Sequence, residues 1–177
     1  KAPESLEAGR FFECNSYMLG KIAESAGARF ERKETLNDDL ALIKATVKKT
    51  VEGEADMVII IGGSSAGSED CAKQAISDLG EIWVHGVTMM PGKPVILGTI
   101  QNKPVVGIPG YPVSAAIAFE QLVSPLIHQM LGQTEPGRPT VAVVPTRKIT
   151  SRLGIEEFVR VKLGKVGDRI VASPLPR

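Results

Sequence analysis

Residues 56–70 read DMVIIIGGSSAGSED, a short apolar run that breaks into a glycine- and serine-rich loop and ends on an acid. The run at 56–61 is continuous and β-branched. That is the pattern of a strand covered on both faces, the mark of a parallel sheet. The loop predicts a turn into a short helix over about 70–79. Strand, loop and helix in this order make half of a βαβ unit, and the surrounding sequence repeats the order.

Upstream, residues 16–26 place Met18, Leu19, Ile22, Ala23 and Ala26 at helical spacing, with Gly27 as a stop. Residues 28–35 alternate weakly and are read as a strand. Asn37 or Asp38 is expected to cap a helix reaching Val51. Downstream, 81–88, 94–99 and 104–108 read as strands, the last two joined by a hairpin turn at 100–103. Residues 112–131 form a long apolar helix pattern that Pro125 can kink. The alternation predicts a three-layer αβα sandwich with a mostly parallel sheet, the hairpin adding an antiparallel piece at one edge. Residues 132–139, GQTEPGRP, read as a linker. Beyond it, 140–145, 157–163 and 169–172 read as strands without helices. The expected division is an αβα domain over 1–135 and an incomplete C-terminal β-barrel-like domain over 136–177.

Bulk properties narrow the function. The 177 residues carry 21 basic and 20 acidic side chains, a net charge of +1, which gives no reason to expect nucleic acid or an anionic membrane as partner. Aromatic residues make up only 5%, so the core must rest on Val, Ile, Leu and Ala. The two cysteines, Cys14 and Cys71, form neither a CxxC pair nor a disulfide scaffold, and a reducing cytoplasm is expected. The two histidines, His85 and His128, do not cluster with cysteine, which argues against structural zinc. Both are read as structural or surface residues. The apolar runs are too short to span a bilayer. The N-terminus has neither an initiator Met nor an apolar signal core, so the chain is read as a piece of a longer protein.

Three segments can carry chemistry. In the loop after the buried strand, Gly62, Gly63 and Gly67 let the backbone approach a ligand, and the following helix aims unpaired N–H groups at an anion. Ser64, Ser65 and Ser68 add hydroxyl donors, and Asp70 can hold Mg²⁺, a hard cation that chooses carboxylate oxygen. The plainer alternative is a tight turn with Asp70 or Ser68 as the helix N-cap. The second segment is Pro91, Gly92, Lys93 and Pro94, in which two prolines fix the backbone around one ammonium group. The alternative is an ordinary turn with a solvated lysine. The third is Pro109, Gly110, Tyr111 and Pro112, again between a strand and a helix, with Ser114 in the first helical turn. Its alternative is a helix start with conventional punctuation. Two loops that both follow strands belong at one carboxyl edge of a parallel sheet, where open α/β sheets bind ligands. The conjunction predicts an oxyanion or nucleotide pocket.

GGSSAGSED, PGKP and PGYPVSA, in this order and spacing, resemble the molybdopterin molybdotransferase family, which includes the E domain of gephyrin and is built on a MogA-like domain. The family forms are close to GGVSxGxxD, KPGKP and PGNPVSA. Asn15 matches an asparagine that opens the family's domain. The resemblance covers about residues 9–131 well and 140–177 loosely. It implies insertion of molybdate, or tungstate, into adenylated molybdopterin with release of AMP, a divalent cation taking part. It implies that residues 62–70 serve the nucleotide and pterin phosphate, with Asp70 at the cation. Lys93 and Ser114 match positions that hold the oxyanion, and Arg160 is carried over to the same oxyanion from the C-terminal part. A homodimer is implied for the full-length protein. Two departures stand out: Met90 where the family has lysine, and Tyr111 where it has asparagine. Two other readings share the fold. One is a molybdopterin adenylyltransferase, which is expected to lack PGKP and the β tail. The other is a non-catalytic molybdopterin-binding or scaffold module.

Overall fold

A computed structural model describes residues 12–63 and 70–175 of the chain. Helix α1, Asn15–Ser25, buries Leu19 and Ala23 on one stripe. Helix α2, Leu40–Glu52, is capped by Asp39, whose carboxylate accepts from the N–H groups of Ala41 and Leu42. The cap thus falls on Asp39 rather than on the expected Asn37 or Asp38, because only this oxygen reaches the first free donors of the helix. Lys103 closes the other end, its Nζ 2.8 Å from the carbonyls of both Val51 and Gly53. Residues 28–35 form no strand. Their polar side chains lie in solvent, and Arg32 turns back over the Tyr17 ring, 5.1 Å from its centroid.

Strand β1, Val58–Ile61, leads through the glycine loop to α3, Cys71–Leu79. Then come β2, Glu81–His85, and the two-residue β3, Met89–Met90. Strands β4, Ile96–Ile100, and β5, Lys103–Ile108, form the expected hairpin. Its turn residues Gln101 and Asn102 have φ of 51° and 62°, the left-handed pair of a tight hairpin.

The sheet order is β1-β5-β4-β2. β1 pairs parallel with β5, while β4 is antiparallel to both β5 and β2. Three of the four strands therefore run in one direction, and only β4 is reversed. The hairpin does not sit at an edge as expected. β2 pairs on the outer side of β4, because the short stretch between them leaves no room for a crossover helix and must double back.

The long final helix is α4, Pro112–Ala118, a π-helical segment, Phe119–Val123, and α5, Ser124–Met130. Pro125 lacks an N–H, and just before it the ladder slips to π spacing, Ser124 N bonding to Phe119 O. The layers follow from the pleat. Ile59, Ile61, Val106 and Ile108 face α1, α4 and α5. Val58, Ile60, Val105, Ile96 and Ile100 face α2 and α3. This is the predicted αβα sandwich, with aliphatic side chains filling both interlayers.

After residue 132 the elements among the described residues are short strands: β6, Val144–Pro145, β7, Glu156–Glu157, β8, Val161–Val166, and β9, Arg169–Pro174. β6, β9 and β8 form one sheet, and β7 pairs with β3. The β3–β7 pair was not legible beforehand, since Met89 and Met90 look like loop.

Candidate functional site

Because β1, β5 and β2 share a direction, Ile61, Ile108 and His85 all end at the same edge of the sheet. The loops behind them meet there. Gly62 N donates to Ile108 O at 2.9 Å, holding the first loop against the end of β5. Gly62 and Gly63 have φ of +85° and +65°, conformations that a side chain would strain. A Cβ on Gly110 would stand 3.7 Å from Gly62 Cα, so the two loops run in contact. Asn15, buried at the start of α1, donates from Nδ2 to Gly110 O at 2.7 Å and locks the second loop from behind. Its Oδ1 is buried without a hydrogen bond.

Pro112 opens α4, with Tyr111 as its N-cap and Ser114 half-buried in the first turn. Tyr111 is 81% exposed, so its side chain is open to a ligand. The Pro91–Pro94 segment joins this corner through Gly92, which is buried. A Cβ there would lie 2.6 Å from Met89 Cε and 3.6 Å from Ser114 O. The φ of +112° at Gly92 favours glycine, and its ordinary contacts with Ala118 and Ser114 set the loop that bears the exposed Lys93 against α4. Val87 N bonds to Lys93 O at 2.9 Å, fixing the loop to the end of β2. The backbone of Met90 is held in the β3–β7 ladder, opposite Glu157.

Asp70 has two roles. One oxygen, Oδ1, accepts from Lys73 N at 2.9 Å and caps α3, as the plainer expectation held. The other, Oδ2, is buried with no hydrogen-bond partner, and the side chain is only 10% exposed. A buried carboxylate oxygen without a donor is costly unless something else meets it. Magnesium fits this atom, because Mg²⁺ commonly takes one or two carboxylates and completes its shell with substrate phosphates and water. Among the described residues no three His, Cys, Asp or Glu side chains gather as a ready metal cage.

Gly62, Gly63, Asp70, Pro91, Gly92, Lys93, Pro94, Pro109, Gly110, Tyr111 and Ser114 are thus carried to one sheet edge. Ser64, Ser65, Gly67 and Ser68 lie outside the described residues. Arg160 lines a cleft of about 250 Å³ on the flank of α4, beside Met18, Pro112, Val113, Ala116, Ile117 and Glu120. The cleft adjoins the first turn of α4 at Pro112 and Val113. His85 was passed over as structural, yet its Nε2 lies 3.6 Å from Asp70 Oδ2.

Glu13 secures the start of α1. It accepts from Ser16 N at 2.8 Å and pairs with Arg32 at 3.5 Å. Burial works to raise its pKa, but the bonds from Ser16 and the charge of Arg32 outweigh that and hold it below its ordinary value.

Among the described residues no helix is long and apolar enough to cross a membrane. Residues 4–129 match the model of a family described as a probable molybdopterin binding domain. A putative molybdopterin biosynthesis protein of Methanocaldococcus jannaschii is 34% identical over 88% of this chain and 37% of its own length. Molybdopterin molybdenumtransferase 2 of Mycobacterium tuberculosis is 33% identical over 97% of this chain and 44% of its own. The crystal structure of a molybdopterin biosynthesis protein from Pyrococcus horikosii superposes with a TM-score of 0.79 at 33% identity, covering 100% of this chain and 42% of that one. The chain therefore spans less than half the length of these relatives, and over that span it belongs to the molybdopterin-binding domain family of molybdenum cofactor biosynthesis.

Proposed function

We propose that this chain is the molybdopterin-binding part of a molybdopterin molybdenumtransferase, which inserts molybdate into adenylated molybdopterin and releases AMP. The observation that carries the reading is the meeting of three loops at one sheet edge beside a buried carboxylate oxygen that receives no hydrogen bond. The Gly62–Gly63 backbone leaves room for a phosphate chain, and the N-terminus of α3 offers it N–H groups. Lys93 neutralises oxyanion charge while Ser114 donates a hydrogen bond to it. These contacts must loosen as the dithiolene sulfurs displace oxide ligands at molybdenum. Arg160 would approach the oxyanion past Pro112. Mg²⁺ held by Asp70 Oδ2 would neutralise phosphate charge as the bond to AMP breaks. In this reading residues 1–135 form the binding domain and 136–177 begin a β domain. The intact protein is a cytoplasmic homodimer.

The test is incubation of the full-length protein with adenylated molybdopterin, Mg²⁺ and molybdate or tungstate. AMP release that depends on the oxyanion is expected. Asp70→Asn keeps an oxygen for the α3 cap but removes the charge, and should cut turnover at least about a hundredfold with the circular dichroism unchanged. Substrate binding without AMP release would replace the enzyme reading with a scaffold, and adenylation of molybdopterin at the expense of ATP would replace it with an adenylyltransferase.

A further inference from the structure

The strand that carries His85 is irregular. β2 pairs with β4 in register at Glu81–Thr99 and Ile82–Gly98, then slips, so that Val84 faces Leu97 and His85 faces Ile96. Trp83 is the extra residue, a β-bulge. Directly opposed residues in an antiparallel pair share a face, and one inserted residue turns everything beyond it to the other face. Without the bulge His85 would point to the side of α1 and α4. With it, His85 stands on the side of Ile96, the side covered by α3. The N-cap of α3 is Asp70.

The consequence is the 3.6 Å approach of His85 Nε2 to Asp70 Oδ2. That separation is too long for a hydrogen bond. It lies within the span between two ligands that each stand about 2.1 Å from one ion. The oxygen concerned is buried without a hydrogen bond, in a side chain nine-tenths removed from solvent, while His85 stays 36% exposed and reachable. Two residues beyond, Val87 N holds Lys93 O, so the same strand end fixes the Pro91–Pro94 loop.

We propose that His85 is a second protein ligand, with Asp70, for the divalent cation of this site. The inference rests on the cation role given to Asp70 under the proposed function. It adds that the cation sits between α3 and the end of β2, held by one oxygen and one imidazole nitrogen. A mixed oxygen and nitrogen pair also suits Mn²⁺ and other first-row cations better than an all-oxygen site does.

Mn²⁺ with inorganic pyrophosphate, which contains no nitrogen, is the probe. In the full-length protein, electron spin-echo spectra of bound Mn²⁺ should show nitrogen coupling. The coupling should change when histidine is labelled with ¹⁵N and vanish in His85→Gln, whose amide offers oxygen in place of the imidazole. His85→Ala should weaken Mn²⁺ binding at least about tenfold, the loss that even an outer-shell partner can cause. Mn²⁺ that binds in dependence on Asp70 but shows no nitrogen coupling, or keeps it in His85→Gln, overturns the role of His85 and leaves the proposed function standing. Mn²⁺ binding unchanged in Asp70→Asn, or no binding at all, overturns the cation role of Asp70 and this inference with it.

Discussion

β5, Lys103–Ile108, and β8, Val161–Val166, are both six residues long and both end in a β-branched aliphatic side chain. β5 buries its last four residues, whereas all six residues of β8 are exposed. Each is well paired, β5 with β1 and β4, β8 along its whole length with β9. Pairing is therefore not what separates them. β5 lies between two helical layers and fills both interlayers, while among the described residues no helix packs on the sheet of β8. Strand chemistry makes the ladder in both regions, and the covering layers decide where the stability resides.

This contrast predicts the largest difference in the molecule. Ile108 is 0% exposed, and Ile108→Ala should cost about 2–5 kcal/mol through lost burial and a cavity. Leu163 is 52% exposed, and Leu163→Ala should fall within about 0.5 kcal/mol of the parent. Urea unfolding of the two variants measures both. Comparable losses would break the contrast, because they would mean that the face of β8 is covered in solution.

A smaller effect tests how the site hangs on the rigid side of that contrast. Asn15→Ala removes the part-buried bond to Gly110 O, which should cost about 0.5–1.5 kcal/mol. Asn15→Asp, which cannot donate, should lose a comparable amount. A fully stable Asn15→Asp would show that the β5–α4 loop holds its place without α1.

The same contrast explains what was legible in the sequence. Helices and strands with apolar stripes, such as α1, β1 and the β4–β5 hairpin, could be read because burial imposes periodicity on them. The two glycine loops could be placed at one edge because each follows a strand. Residues 28–35 misled because weak alternation without a neighbouring strand does not make a ladder. The β3–β7 pair stayed hidden because two residues carry no period. The position of the hairpin inside the sheet depended on which side β2 would pair, a tertiary choice with no local signal. His85 was missed for a sharper reason. Its position near a strand end was readable, but its direction depends on the bulge at Trp83, and a slip of one residue leaves no mark in an otherwise ordinary strand.

The smallest expected effect is a pH dependence confined to the helical side of the molecule. Glu13 sits below the usual glutamate range of about 4.3 in the folded chain, so it binds protons less readily there than when unfolded. Its contribution is complete above that value and fades as the pH falls through the folded pKa. The side chains of Glu13 and Arg32 are 31% and 35% exposed, so solvent screens the pair and the gain stays below about 1 kcal/mol. Unfolding curves of the parent and Glu13→Gln should differ near neutral pH and converge as the pH falls through the lowered pKa of the folded Glu13. Hydrogen exchange should place the difference in α1, whose start Glu13 bonds through Ser16 and Arg32, and leave the β8–β9 ladder unchanged. A difference that did not shrink with falling pH would have to come from the shape of the side chain rather than its charge, and would move the role of Glu13 from electrostatics to packing.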